Sequence, residues 1–209
     1  RDIDVYLLEK EDYLNLLPPT LRDGMNIFFE QLETRRAGEL KALQTHLSSG
    51  RFEKLLTDWK SFLSDPDSEL FKGSRALSCR NYADGKILKR FKSFIRDGNR
   101  ISDASADDEL HQLRINGKKF RYLLEFFKSF YDETQVSTFL KYMKNLQDNL
   151  GDFNDLSVQQ SMLLGELDGL RSRNLETIRF AAALGGLIAV LSDKHGVVRG
   201  EFKSTYAEF

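Results

Sequence analysis

The stretch His111 to Lys128 reads HQLRINGKKFRYLLEFFK and indicates how this 209-residue chain folds. On a helix that turns about 100° per residue, its cations fall within an arc of about 80° beside an apolar face. The cations are His111, Arg114, Lys118 and Arg121, called here the basic row, whereas Lys119 falls outside it. Like charges repeated along one face destabilise a helix mildly, so a long bound polyanion would offset their repulsion.

The rest of the chain shows the same helical spacing of apolar residues, and no stretch keeps the alternation that a strand requires. We therefore predict an all-α protein. The predicted helices cover residues 1–17, 20–49, 51–64, 75–97, 109–131, 134–150, a following segment to about 170, and 174–207.

Two of these helices carry apolar stripes that we expect to be buried. The stripe of residues 20–49 includes Leu40, Leu43 and Leu47, and that of residues 51–64 includes Leu55, Leu56, Trp59 and Leu63. Arg36 lies at the centre of the first stripe, with Arg35 at its edge. An unpaired buried charge is costly, so Arg36 either pairs with a carboxylate, extends its head to water, or lines a basic channel.

Further cations lie beside the packing faces of two other helices. Lys89 forms a second line of cations with Lys86 and Arg96, and Arg90 lies across the same helix from Lys92. Lys141 and Lys144 share a flank with Asp148 at helical spacing. Rows of this kind are commonly just a solvated surface, and that interpretation stays open here.

Small and polar residues predict local features of the middle of the chain. Gly117 costs about 1 kcal/mol within a helix, so we expect a close approach of another helix there. Gly151 is placed to end a helix, and Asn154 or Asp155 is placed to begin the next one.

Composition limits the possible functions. The net charge is −1, so any polyanion site must be a local concentration of charge. The single cysteine, Cys79, excludes an internal disulfide and is compatible with a reducing compartment. No signal peptide opens the chain, and the apolar run from Phe180 to Leu191 is too short to cross a bilayer, which needs about 20 residues.

Two motifs together resemble the CHAD domain, the conserved histidine α-helical domain. The first is His111-x-x-Arg114 followed by Lys118-Lys119-x-Arg121-Tyr122-x-x-Glu125. The second is Lys144-x-x-Gln147-Asp148-x-Leu150-Gly151-x-x-Asn154-Asp155. The resemblance is specific from His111 to Val158 and loose elsewhere.

The resemblance implies two antiparallel helical bundles with weak internal pseudo-symmetry, packed around a basic channel. Arg1-Asp2-Ile3-Asp4-Val5 resembles Asn154-Asp155-Leu156-Ser157-Val158. The expected organisation is thus one domain over residues 1–209, with a first half, 1–100, that is incomplete at its N-terminus and a second half, 101–209.

The function that the resemblance implies is binding of inorganic polyphosphate. Because the sequence lacks a convincing nucleophile or metal cage, we expect neither catalysis nor a cofactor. The resemblance gives the anion-contacting role to the basic row and Lys144. Face geometry adds Lys141, Arg35, Arg36, Lys89 and Arg90. The resemblance also implies a triphosphate tunnel type domain or protein as a partner. From the single cysteine and the short apolar run we expect a cytoplasmic protein without a membrane, located at polyphosphate granules. For His111 the alternative is a partly buried histidine bonded to a backbone carbonyl.

Two other functions remain open. Asp148, Asp152 and Asp155 could hold Mg²⁺ for a metal-dependent polyphosphate- or triphosphate-hydrolysing enzyme, because magnesium prefers oxygen ligands. No convincing nucleophile accompanies them. Nucleic-acid binding is disfavoured by the near-neutral charge, and the aromatic residues have the spacing of a core.

Overall fold

The structure of the chain is a computed structural model that describes residues 2–65, 78–172 and 174–209. Within these ranges it is all-α and contains no strand, which confirms the predicted fold class. The first residues of the predicted helix 75–97 lie outside the described residues. The helices are α1 (Asp2–Leu8), α2 (Lys10–Leu16), α3 (Pro19–Arg22), α4 (Asn26–Leu47), α5 (Gly50–Ser64), α6 (Cys79–Gly98), α7 (Asp107–Phe127), α8 (Glu133–Gly169) and α9 (Leu175–Glu208), with 3₁₀ turns at Asp23–Met25 and Lys128–Phe130.

Polar side chains satisfy the free N–H groups where several helices begin. The hydroxyl of Ser49 accepts a hydrogen bond from the Phe52 N–H at the start of α5 (3.3 Å), and Ser78 does the same for Asn81 in α6 (3.2 Å). At α7 the Glu109 carboxylate accepts from the Ala106 N–H (3.0 Å). The contact between Glu109 and Ala106 marks where α7, which carries the basic row, begins.

Helix α8 corrects the predicted break at Gly151. It runs without interruption from Glu133 to Gly169, so Gly151 ends no helix and neither Asn154 nor Asp155 begins one. Leu150 and Phe153 on either side are buried, with 0% and 2% exposure. Burying each such side chain stabilises by about 1.5–3 kcal/mol, which exceeds the cost of about 1 kcal/mol for a helical glycine.

The chain forms two compact units, Arg1–Arg75 with Gln159–Leu191 and Ala76–Val158 with Ser192–Phe209. Helices α8 and α9 each contribute residues to both. This division differs from the predicted halves, which rest on internal repetition; those halves, their pseudo-symmetry and a shared basic channel stay predictions.

The first unit has an aromatic core. Tyr6, Phe28 and Phe29 are at most 1% exposed, and the Tyr6 hydroxyl donates to the Gln159 carbonyl oxygen (2.5 Å). Helix α9 approaches closely at Gly24, where a Cβ would lie 2.6 Å from the Arg179 carbonyl oxygen. That distance is too short for any side chain, so this contact requires glycine.

The apolar faces of α5 and of the C-terminal half of α4 are exposed, contrary to their predicted burial. Trp59 is 57% exposed, and α5 buries none of its residues. Amphipathic spacing shows that a helix has an apolar face, but it does not show that another part of the chain covers it. The other exposed members of the two stripes are Leu40, Leu43, Leu47, Leu55, Leu56 and Leu63.

The second unit surrounds a core to which α6, α7, α8 and the end of α9 contribute. Its buried side chains include Phe94, Leu113, Met143 and Phe202. A Cβ on Gly117 would lie 3.0 Å from Cε2 of Phe94 and 3.2 Å from Cε of Met143. The close helix approach predicted from this glycine is therefore confirmed.

Helix α9 is long and apolar enough to cross a bilayer by length and composition alone, with a mean hydropathy of 1.6 in its most apolar window. The apolar run from Phe180 to Leu191, considered in the sequence analysis, is shorter than the roughly 20 residues that a bilayer requires. The core helix of a globular protein passes the same test when it is mostly buried. Of this window 28% is buried, and Leu184 and Leu187 are fully buried within the first unit.

Candidate functional site

Helices α7 and α8 run antiparallel in the second unit. His111, near the start of α7, contacts Asn154 of α8, whereas Phe120 further along α7 packs on Phe139 earlier in α8, with ring centroids 5.7 Å apart. Because the order of contacts reverses, residues two turns after His111 lie level with residues two turns before Asn154. The basic row of α7 therefore follows one edge of this helix pair.

A chain of polar contacts joins the two helices at the start of the row. Nδ1 of His111 lies 2.5 Å from Oδ1 of Asn154, and Nδ2 of Asn154 donates to Oδ1 of Asp155 (3.2 Å). Asp155 also lies 3.8 Å from Nη2 of Arg114, whose side chain is only 13% exposed. His111 is thus bonded to a side-chain amide, and the backbone carbonyl considered in the sequence is not its partner at this nitrogen.

Lys118 continues the row and is half-buried. In the described part of the chain it has no carboxylate within ion-pair distance. The corresponding position on α8 is Gln147, two turns before Asn154, and its buried Nε2 has no acceptor among the described residues. A half-buried cation without a carboxylate partner favours an added negative oxygen, whereas Nε2 of Gln147 is enclosed by protein and is not accessible to a ligand in this arrangement.

Arg121 closes the row and is partly neutralised. Its Nη1 donates to Oε1 of Glu125 (3.2 Å), and its guanidinium lies 4.9 Å from the centroid of the Tyr122 ring. Its Nε is buried and has no hydrogen-bond partner among the described residues. Glu125 lies on the same face as the row and is an internal counter-ion that was not predicted from the sequence.

The two lysines predicted on α8 are exposed. Nζ of Lys144 lies 3.2 Å from Oδ2 of Asp148 one turn later, and their side chains are 70% and 61% exposed. Lys144 lies ten residues before Asn154, which places it level with Arg121 on α7. Lys141 is exposed one turn earlier.

The arginines predicted on α4 belong to the first unit and are both paired. Nε of Arg36 lies 2.6 Å from Oδ1 of Asp4, and Nη1 of Arg35 lies 2.8 Å from Oε1 of Glu166. The Arg36 side chain is 61% exposed. Of the alternatives for Arg36, the structure therefore shows an exposed salt bridge.

Lys89 and Arg90 are exposed on α6, which packs on α7 through Phe91 and Phe94. Lys89 lies about 140° around the helix from Phe94, so it faces away from the surface that contacts α7. Arg90 lies on the flank beside Phe94. The structure therefore does not bring Lys89 to the basic row.

Positive charge nevertheless accumulates after the acidic first turn of α7, which contains Asp107, Asp108 and Glu109. His111 to Lys128 contains five Lys and Arg residues and only one acidic residue, Glu125. The pairs at Arg121 and Lys144 are solvent-accessible, and pairs of that kind contribute about 0.2–1 kcal/mol each. A phosphate oxygen can replace such a carboxylate at little cost.

The structure also brings together a cluster that sequence reasoning missed. Nε2 of His195 lies 2.9 Å from Oγ of Ser157 and 3.6 Å from Oδ2 of Asp107, and its ring stacks on Phe153. In a catalytic triad the serine and the carboxylate contact opposite ring nitrogens, whereas here both approach Nε2. Burial lowers the pKa of His195, more than Asp107 raises it, so this histidine is a neutral packing residue near pH 7. No sequence signal marks the cluster, because its members are far apart in the chain.

No group of three His, Cys, Asp or Glu side chains that could hold a metal ion occurs in residues 2–65, 78–172 and 174–209. Asp155 serves instead as a partner of Asn154 and Arg114, and Asp148 as a partner of Lys144.

Comparison with curated proteins finds no match to the chain. The model of the CHAD domain matches residues 1–164, which include the whole basic row and Asn154. This match covers more than three quarters of the sequence. The chain therefore belongs to the CHAD domain family, whose helical domains are associated with polyphosphate and with triphosphate tunnel proteins.

Proposed function

We propose that this domain binds inorganic polyphosphate along the basic row of α7 and the facing flank of α8. The observation that carries the proposal is Lys118, a half-buried cation without a carboxylate in the described chain, between Arg114 and Arg121. These groups offer positive charge and hydrogen-bond donors to a ligand that has only acceptors.

A polyphosphate chain matches this surface chemically. It carries about one negative charge per phosphate and presents only oxygen acceptors, which Arg and Lys bind through short, charge-assisted hydrogen bonds. From His111 to Arg121 the row extends about 15 Å at 1.5 Å per residue, so several successive phosphates can contact it. Regular spacing of cations suits a ligand that repeats.

The internal carboxylates do not prevent this binding. Glu125 and Asp148 hold Arg121 and Lys144 in accessible pairs worth about 0.2–1 kcal/mol, whereas a hydrogen bond to a charged group contributes about 1.5–3 kcal/mol. Exchange of such a weak pair for a phosphate contact therefore costs little. Glu125 and Asp148 keep the cations in place until the ligand arrives.

In this proposal the domain binds the polyphosphate chain but does not catalyse a reaction on it. A triphosphate tunnel type domain or protein supplies the catalysis. We propose that the polyphosphate-binding domain lies in the cytoplasm, where polyphosphate granules would provide the ligand. No cofactor is required for binding.

The test is titration of the purified chain with long linear polyphosphate at several salt concentrations, with single-stranded DNA as competitor. We expect binding that DNA displaces poorly and that weakens steeply with salt, by analogy with the release of counter-ions from nucleic acids. Arg114→Ala/Arg121→Ala should weaken binding strongly while the circular dichroism spectrum stays that of the parent protein.

Three results would count against the proposal. Unfolding of the double variant would identify these arginines as structural. Equal displacement by DNA would favour a nucleic-acid-binding domain. Shortening of polyphosphate in the presence of Mg²⁺ or Mn²⁺ would favour an enzyme.

A further inference from the structure

The starting point is Asn154, a buried amide with only 8% exposure whose two polar atoms have different partners. Its Nδ2 donates to the Asp155 carboxylate, and its Oδ1 faces Nδ1 of His111. An ionised carboxylate only accepts hydrogen bonds, so the NH₂ group must point at Asp155. The reverse orientation would place the amide oxygen against a carboxylate oxygen.

This orientation determines where His111 carries its proton. Because Oδ1 of Asn154 has no proton to donate, the 2.5 Å contact requires an N–H on Nδ1. A neutral imidazole has only one N–H, so Nε2 is then an acceptor. No described residue hydrogen-bonds this second nitrogen.

Such a histidine does not attract an ionised phosphate while it is neutral. An acceptor nitrogen and a phosphate oxygen repel each other, because each presents a lone pair. The inner phosphates of a polyphosphate chain are fully ionised near neutral pH and have no proton to share. An attractive contact therefore needs a proton from solvent on Nε2, which makes the ring a cation with two donors.

We propose that binding of a polyphosphate chain at the basic row is coupled to uptake of one proton by Nε2 of His111, and that Asn154 imposes this coupling. The inference rests on the proposed function and adds that binding strengthens as pH falls. If one proton is taken up, the affinity changes by at most about tenfold per pH unit.

The other charges that face His111 are identified by their contacts. From α8, Asp155 acts through Asn154, and it also approaches Arg114 on the helix of His111 itself. Asp107 lies one turn before His111 and pairs with Arg199 of α9. The phosphate chain adds the negative charge that favours the protonated ring.

Two measurements test the coupling. Nitrogen-15 NMR of labelled histidine at pH 7.5 should show His111 protonated at Nδ1 alone in the free protein and at both nitrogens with long-chain polyphosphate. Calorimetric titration in two buffers of different ionisation enthalpy, both without phosphate, gives the number of protons taken up. The parent protein should take up at least half a proton more per molecule than His111→Gln, which has no titratable group there.

Asn154→Leu is the variant that isolates the orienting amide. Without Oδ1 of Asn154, neutral His111 can move its proton to Nε2 and donate to phosphate directly. The proton uptake should then fall toward that of His111→Gln while binding persists.

The outcomes separate the two proposals. Absence of binding at every pH overturns the proposed function and the coupling with it. Binding with no difference in proton uptake between the parent and His111→Gln overturns the coupling alone. A free protein with the proton on Nε2 also overturns it, whatever the affinity.

Discussion

Lys118 and Lys119 are adjacent, chemically identical residues that the helix places on different faces, and they provide a sharp test of the site. Lys118 is half-buried on the basic row, and Lys119 is exposed outside it. Lys118→Ala removes a cation that follows Arg114 by four residues and precedes Arg121 by three. Each of those like-charge neighbours costs about 0.2–0.5 kcal/mol, so the free energy of unfolding should rise by about 0.4–1 kcal/mol.

The effect on binding should have the opposite sign. Loss of one hydrogen bond between Lys118 and phosphate removes about 1.5–3 kcal/mol, which lowers the affinity for polyphosphate by about tenfold to a hundredfold. The slope of log affinity against log salt should fall by about 0.7–0.9, the value for one phosphate contact in nucleic acids. Lys119→Ala should change the affinity by less than about threefold.

The assay is calorimetric titration with long-chain polyphosphate at three or more salt concentrations, with urea unfolding of both variants in the same buffer. Equal losses of affinity in the two variants would show that only net charge matters and would refute the site. A loss of more than 1 kcal/mol of stability in Lys118→Ala would show a structural role that the contacts do not reveal.

Three further predictions concern the fold. Gly98→Ala should lower the free energy of unfolding by about 1–3 kcal/mol, because the added Cβ would overlap the ring of Tyr206. Gly151→Ala should instead raise the free energy of unfolding by about 0.5–1 kcal/mol, because no heavy atom lies within 4 Å of the Cβ position of Gly151. Urea unfolding compares the two variants, and equal losses of stability would contradict the packing. Burial lowers the pKa of His195 below its unfolded value of about 6.5, so stability should be full above that pH and fall as pH drops through it. His195→Gln should show a shallower fall in urea unfolding between pH 7.5 and 5, and an unchanged slope would contradict the neutral state.

The fold class, the basic row and one close helix contact could be predicted from local sequence patterns. The spacing of apolar residues predicted the all-α fold, because helical periodicity follows from backbone geometry that each segment carries by itself. The same periodicity placed Arg114, Lys118 and Arg121 on one face of α7. Gly117 predicted a close helix approach because a missing side chain in a helix interior needs a reason.

Features that depend on distant partners required the structure. His111 and Asn154 are 43 residues apart, and no local pattern announces that one orients the other. Gly151 was predicted to end a helix, but α8 continues through it because the residues on both sides are buried in the core.

The sequence by itself determined the helices, their faces and the order of cations along α7, because those depend on residues within a few turns of one another. Only the tertiary structure decided which faces are covered, as the exposed Trp59 shows, and which charges have partners, as Arg36 with Asp4 shows. Burial and ion pairing depend on which other segment of the chain packs against a residue. The energy of such a contact depends on both segments together, so the sequence of one segment does not predict it.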